Sequence, residues 1–121
     1  MTTNPVAMNI VSGEGYAVRL DHENDCVHLA GSLRLGGLSE YAPISSLLDQ
    51  ALHDRSELTL DLRELEFLNS SGIATLSKFV ISARNHQDCA LRIRGSNEIA
   101  WQGKSLNNLK RLMPALELTF D

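Results

Sequence analysis

The sequence predicts an α/β fold in which a mixed β-sheet carries its helices mainly on one face. In residues 58–62 leucines alternate with polar residues, which is the period of a half-buried strand. From Ile73 the apolar residues switch to helical spacing, with Leu76 and Val80 on one face. A second alternating segment, 90–94, follows this helix. Strand–helix–strand order predicts parallel strands joined by a right-handed crossover.

The first part of the chain predicts a hairpin and a helix. Residues 16–20 and 26–30 have strand character, and the polar connection 21–25 is short enough for an antiparallel hairpin. Residues 39–52 then follow a helical pattern. The apolar face of this helix consists of Tyr41, Ile44, Leu48 and Leu52. The opening hairpin adds an antiparallel pair to the parallel strands, so the sheet is expected to be mixed.

The end of the chain predicts one more helix and a terminal strand. The helix begins near Ser96 or Ser105 and runs to Met113, because Pro114 cannot continue it. Its apolar stripe consists of Leu106, Leu109 and Met113. Residues 116–120 add a last strand, and the whole sheet is expected to have four to five strands.

Length and composition predict one globular domain. The chain has 121 residues, of which 43% are hydrophobic and 21% charged, a balance typical of a folded globule. We expect a flexible lead-in over 1–12 and a single domain over 13–121. The formal net charge of −4 argues against a nucleic-acid partner. Because no apolar run reaches a bilayer's width and no secretory signal is visible, we expect no membrane insertion and a cytoplasmic location.

Several kinds of chemistry lack support in the sequence. Cys26 and Cys89 are far apart and outside any C-x-x-C motif, so we expect two reduced, buried thiols. No pair of histidines has metal-ligand spacing on one predicted element, and no nucleotide-binding or hydrolase motif occurs. We therefore expect no metal site, no cofactor and no catalytic activity.

The segment 69–72 lies at the change from strand period to helix period. Asn69, Ser70 and Ser71 are expected at the N-terminus of the helix, whose unpaired N–H groups and partial positive charge favour a phosphate. A serine hydroxyl at this place either caps the helix or accepts a phosphoryl group. The pattern alone leaves both roles open.

The longer run 58–73, which includes this segment, resembles the signature of STAS domains, the fold of bacterial anti-sigma factor antagonists. The matching residues are Asp61, Leu62, Phe67, Leu68, Ser70, Ser71, Gly72 and Ile73. Asn69 stands where the family usually has Asp. The order of predicted elements fits this family over most of the chain, and the expected STAS topology is taken from the resemblance.

The resemblance implies a non-catalytic bacterial protein that acts by partner switching in the control of transcription. In similar antagonists the serine after the Asp is phosphorylated, which points to Ser70 here and to Ser71 as second choice. The implied partners are a serine kinase that is also the anti-sigma factor, and a serine phosphatase. The output is a sigma factor or another effector, such as a cyclic-dinucleotide-synthesising enzyme. A monomer or weak dimer suits a domain of this size.

The resemblance also implies which residues contact the partner, namely Asn69, Gly72, Arg34 and Ser32. Gly72 would let a partner backbone approach the serine. Antagonists usually carry a Gly-Glu-(Leu/Ile)-Asp turn where this chain has residues 31–34, so Ser32 and Arg34 make the rim less negative. Arg34 either pairs with a phosphate on Ser70 or is solvated. The alternative function is a non-phosphorylated STAS docking subunit of a bacterial phospholipid ABC transporter.

Overall fold

The computed structural model describes residues 9–53, 55–86 and 88–121, which form a mixed sheet with three helices. The elements in chain order are β1 (Ile10–Gly13), β2 (Tyr16–Asp21), β3 (Cys26–Leu33), α1 (Ala42–His53), β4 (Glu57–Leu68), α2 (Ser70–Asn85), β5 (Ala90–Gly95), α3 (Ala100–Leu112) and β6 (Glu117–Phe120). The six strands lie in the sheet in the order of the sequence. β1, β2 and β3 are antiparallel, and β3 to β6 are parallel.

The start of the domain differs from the prediction. Residues 1–8 of the expected lead-in lie outside the described residues, but Ile10–Gly13 forms β1 and pairs with β2. Gly13 faces Tyr16 across a two-residue loop, and Gly15 has a φ of +82°, the backbone geometry that tight hairpins need. The glycines therefore form the tight turn that connects β1 to β2. The sheet has six strands and not four to five.

The two faces of the sheet have opposite character, which places the helices. Leucine, valine and isoleucine side chains of β2 to β5 are buried on one face, under the three helices. The predicted apolar face is confirmed, since Ile44, Leu48 and Leu52 of α1 are all at most 2% exposed, as is Tyr41, which directly precedes the helix. The other face carries charged and polar side chains, including Arg92 and Arg94. The predicted α/β fold, a mixed sheet with its helices on one face, is confirmed.

β4 is longer than the alternating segment 58–62 that predicted it. The alternation stops at Leu62, yet the strand continues to Leu68, with Leu65 and Leu68 also buried. These leucines are three residues apart because the pairing of β3 with β4 shifts register twice, as β-bulges do. The amide of Gln102, fully buried, donates to the carbonyls of Leu62 (2.7 Å) and Leu65 (3.0 Å) at this irregular region. β4 therefore extends to Leu68, and one residue, Asn69, connects it to α2.

The remaining elements follow the predictions closely. β5 and β6 form, and α3 begins at Ala100, between the two predicted starts. Leu106, Leu109 and Met113 are buried, as expected. Cys26 and Cys89 are both free and buried. Among the described helices, none combines the length and apolar character needed to cross a bilayer.

Candidate functional site

Asn69 joins the last residue of β4 to α2 and is the N-cap of that helix. Its backbone is extended (φ −80°, ψ 177°), and its Oδ1 accepts a hydrogen bond from the Gly72 N–H at 3.0 Å. The Asn69 N–H donates to the Leu33 carbonyl at the end of β3 (3.1 Å). The predicted cap is thus present, and the amide of Asn69 supplies it in place of a serine hydroxyl.

The side chain of Asn69 also ties the helix to the loop before α1. Its Oδ1 accepts from the Tyr41 hydroxyl at 2.6 Å, and its Nδ2 donates to the Leu35 carbonyl at 2.8 Å. The partners fix the orientation of the amide, because the Gly72 N–H can only donate and the Leu35 carbonyl can only accept. A tyrosine hydroxyl is protonated at neutral pH and can donate, and burial raises the pKa of Tyr41 further. An Asp at this position could not donate to Leu35.

Close packing inside the domain requires a glycine at position 72. Gly72 is buried, and a Cβ at this position would collide with the Leu68 side chain and lie 2.7 Å from the Tyr41 oxygen. The space that the missing side chain leaves is already filled from within the domain. Internal packing is therefore sufficient to explain the glycine, and the approach of a partner's backbone to it stays a prediction.

Ser70 and Ser71 are the first two residues of α2, and they differ in exposure. Ser70 is exposed, whereas Ser71 is half-buried and its carbonyl accepts from the Thr75 hydroxyl at 2.9 Å. Because Asn69 caps the helix, the hydroxyl of Ser70 is not needed for that purpose. Ser70 therefore has the more accessible hydroxyl of the two, and it is also the serine that the resemblance ranks first.

Arg34 and Phe67 lie beside this helix terminus. Phe67 faces Ser32 across the β3–β4 pair and is 38% exposed, and the Arg34 guanidinium carbon lies 4.4 Å from the centre of its ring. This is a cation–π contact. Leu33, between Ser32 and Arg34, is bonded to Asn69, so both residues are close to the start of α2. We call Ser32, Arg34, Phe67 and Ser70 the α2 docking surface.

The structure places most of the predicted site residues at one end of the sheet and adds two groups. Asn69 and Ser70 lie at the start of α2, Ser32 and Arg34 flank Leu33, which accepts a hydrogen bond from Asn69, and Gly72 is buried. The Tyr41 hydroxyl and the Leu35 carbonyl were not expected there. Sequence patterns show no signal for these contacts, which join residues 28 and 34 positions apart. The exposure of Phe67 follows from the bulged register of β4, which alternation could not reveal.

Solved structures share this fold. No family model matches the chain, and no curated protein matches it in sequence. Apo-SiaC from Pseudomonas aeruginosa is similar with a TM-score of 0.70 at 13% identity, over 93% of this chain and 96% of that one. A chain from the complex of the P. aeruginosa diguanylate cyclase SiaD with its activator SiaC gives a TM-score of 0.68 at 14% identity, over 93% and 98%. At these identities the likeness establishes the fold alone.

Proposed function

We propose that this protein is a non-catalytic regulator that binds a partner protein through the α2 docking surface. Reversible phosphorylation of Ser70 by a serine kinase, and its removal by a serine phosphatase, switches that binding. The observation that carries the proposal is the exposed Ser70 at the first position of a helix that Asn69 already caps.

The fold can accept a phosphate on Ser70 without rearranging. A helix N-terminus has unpaired N–H groups and a partial positive charge, which are compatible with a phosphate's negative charge. The cap hydrogen bond from Gly72 goes to Asn69 and does not involve the Ser70 side chain. Phosphorylation therefore changes the surface and leaves the packing beneath it intact.

The change at the surface is large enough to release a partner. A phosphoserine carries about −1.5 to −2 charges at pH 7, and burying it without a matched partner costs several kcal/mol. A loss of about 4 kcal/mol weakens binding roughly a thousandfold. Phe67 supplies an exposed aromatic ring and Arg34 a cation, both of which are common in protein interfaces.

The effector that this regulator controls belongs, in our proposal, to the signalling enzymes that make cyclic dinucleotides or to the sigma-factor machinery. The first class has support from the shared fold with SiaC, a protein solved in complex with the diguanylate cyclase that it activates. The anti-sigma alternative has support from the signature around Ser70.

Phosphopeptide mapping tests the modification directly. Trypsin releases residues 64–78, which contain Ser70, Ser71, Thr75 and Ser77. Thr75 is only 3% exposed and its hydroxyl is bonded to Ser71, so we expect the phosphate on Ser70. In protein from its native host, the modified fraction should change between growing and stressed cells.

Two variants make this mapping decisive. Ser70→Ala should abolish the modified peptide, whereas Ser71→Ala should retain it. A peptide that remains unmodified under every condition would contradict the switch and favour constitutive docking, as in a transporter subunit. Phosphate on Ser71 in the wild-type protein would refute the assignment to Ser70.

A further inference from the structure

Three side chains with metal-binding atoms meet on the open face of the sheet, opposite the helices. Cys26 and His28 are two residues apart on β3, so both point away from the core that Val27 and Leu29 enter. Asp61 on β4 is the direct register partner of His28. The sequence could show the Cys-x-His spacing, but only the parallel pairing of β3 and β4 adds the carboxylate.

The ligand atoms of this cluster lie near the separations found in a coordination shell. One ligand atom from each of the three side chains lies within 4.8 Å of the other two, and His28 Nδ1 is 3.4 Å from Asp61 Oδ2. Tetrahedral zinc with bonds of about 2.0–2.3 Å separates neighbouring ligand atoms by roughly 3.3–3.6 Å. Small side-chain rotations would therefore complete the geometry, and the backbone need not move.

We propose that Cys26, His28 and Asp61 bind a divalent transition metal of the zinc type. Cys26 would bind through its thiolate, His28 through Nδ1, and Asp61 through Oδ2. These sulfur, nitrogen and oxygen ligands form a set that zinc uses in proteins, and three protein ligands leave one coordination position for water. That position faces an open groove of ≈ 540 Å³, which the three ligands help to line.

Arg63 holds the carboxylate in place for this role. Its Nε donates to Asp61 Oδ1 at 2.9 Å and its Nη2 donates to Oδ2 at 2.8 Å. Because a carboxylate oxygen has two lone pairs, Oδ2 can accept from Arg63 and still bind a metal ion. Arg63 is thus a positioning residue, comparable to the hydrogen-bond partners that orient ligands in known metal sites.

Three of the four arginines that line the groove contact carboxylates, whereas Arg19, the register partner of His28, forms none of the ion pairs among the described residues. Arg92 contacts Glu57 and Glu117, and Arg94 and Arg63 both contact Asp121. These pairs reduce the repulsion that a cation would otherwise meet on this face. Binding converts the Cys26 thiol to a thiolate, and the displaced proton goes to solvent. The metal, when bound, therefore carries two anionic ligands and one neutral imidazole.

Cobalt substitution tests the site with a spectroscopic readout. The full chain, freed of metal by chelator and kept reduced, is titrated with Co²⁺ and then with Zn²⁺ as competitor. We expect one equivalent to give the visible bands of tetrahedral cobalt and a thiolate-to-cobalt charge-transfer band, both lost on adding zinc. Cys26→Ser should remove the charge-transfer band, and His28→Gln should weaken binding by at least about tenfold.

The chain supplies a matched control in its other free cysteine. Cys89 is also buried, so Cys89→Ser changes a thiol of similar exposure and should leave the cobalt spectrum unchanged. Circular dichroism of each variant shows whether it is folded, and the half-exposed His28 is the ligand whose replacement perturbs packing least. The proposal is overturned if folded wild-type protein gives only the weak spectrum of hexahydrated cobalt. It is equally overturned if Cys26→Ser keeps the charge-transfer band, or if folded His28→Gln binds as tightly as the wild type.

Discussion

Removal of the Asn69 side chain should destabilise the domain more than removal of an ordinary helix cap. Asn69→Ala deletes the cap to Gly72, which is worth about 1 kcal/mol, and the hydrogen bond to the Leu35 carbonyl. It also leaves the Tyr41 hydroxyl, on a side chain 1% exposed, without its partner. An orphaned buried donor costs about 1–3 kcal/mol. We expect a total loss of about 3 kcal/mol in the free energy of unfolding.

A double-mutant cycle separates the orphaned hydroxyl from the lost cap. Tyr41→Phe alone should cost about 1 kcal/mol, since it removes one hydrogen bond. In the Tyr41→Phe background no hydroxyl remains to be stranded, so Asn69→Ala should cost about 1–2 kcal/mol less than it does in the wild type. Urea unfolding monitored by circular dichroism gives all four free energies.

The outcome that would refute this reasoning is strict additivity. If the two losses add within about 0.3–0.5 kcal/mol, the Tyr41 hydroxyl and Asn69 are not coupled. A cost below about 1 kcal/mol for Asn69→Ala would also contradict the network. Asn69→Asp tests the contact to Leu35 separately, because it keeps an acceptor for Tyr41 and Gly72 but places a carboxylate oxygen against the Leu35 carbonyl oxygen.

Three further predictions concern the framework of the domain. Gly72→Ala should lower the free energy of unfolding by about 1–3 kcal/mol, because the new Cβ has no room. Gly103→Ala should raise it by up to about 1 kcal/mol, because no atom lies within 4 Å of a Cβ at that position. Urea unfolding of both variants measures the difference. Gln102→Leu should cost about 2–4 kcal/mol, since it removes the side-chain partners of the Leu62 carbonyl and the Ser96 N–H, and leaves the Leu65 carbonyl with the longer bond from Trp101; thermal unfolding measures this loss. The hydrogen bond from the Asn24 side chain lowers the pKa of the Asp21 carboxyl group below 3.8. This bond forms with the ionised carboxylate and is lost as the pH falls through the lowered pKa. Asn24→Ala should therefore raise the pKa of Asp21 toward 3.8 in an NMR titration of the carboxyl group, and an unchanged pKa would contradict the assigned cause.

Hydrophobic periodicity was sufficient to predict those elements in which the buried side chains repeat at a constant spacing. The stripe of α1 and the alternation of Leu91 and Ile93 in β5 each repeat at the spacing of their element, and both are buried as predicted. The full length of β4 was not predicted, because two bulges place its buried leucines three residues apart instead of two. β1 was missed because the strand is short, mostly exposed, and ends in a glycine hairpin.

The candidate site was predictable only in part, for a similar reason. The helix N-terminus with Asn69 and Ser70 is a local feature, so the sequence contains it. The Asn69–Tyr41 bond, the Arg34–Phe67 contact and the Cys26–His28–Asp61 cluster each join residues that only the sheet and its crossovers bring together. Local patterns say nothing about such pairs. The tertiary contacts also give a reason for Gly72 that the sequence did not show, since close internal packing leaves no room for a Cβ.

The proposed switch requires that phosphate on Ser70 and partner binding exclude each other. The most direct measurement is the phosphate occupancy of Ser70 in two pools from the same native cells, the free protein and the protein that co-purifies with its partner.

A tagged Ser70→Glu chain should lose the partner, whereas Ser82→Glu should keep it. Ser82 is an exposed serine about 18 Å farther along α2 and therefore a matched control for added charge. We predict that phosphate on Ser70 is at least about tenfold rarer in the partner-bound pool. Equal occupancy in the two pools would contradict the switch.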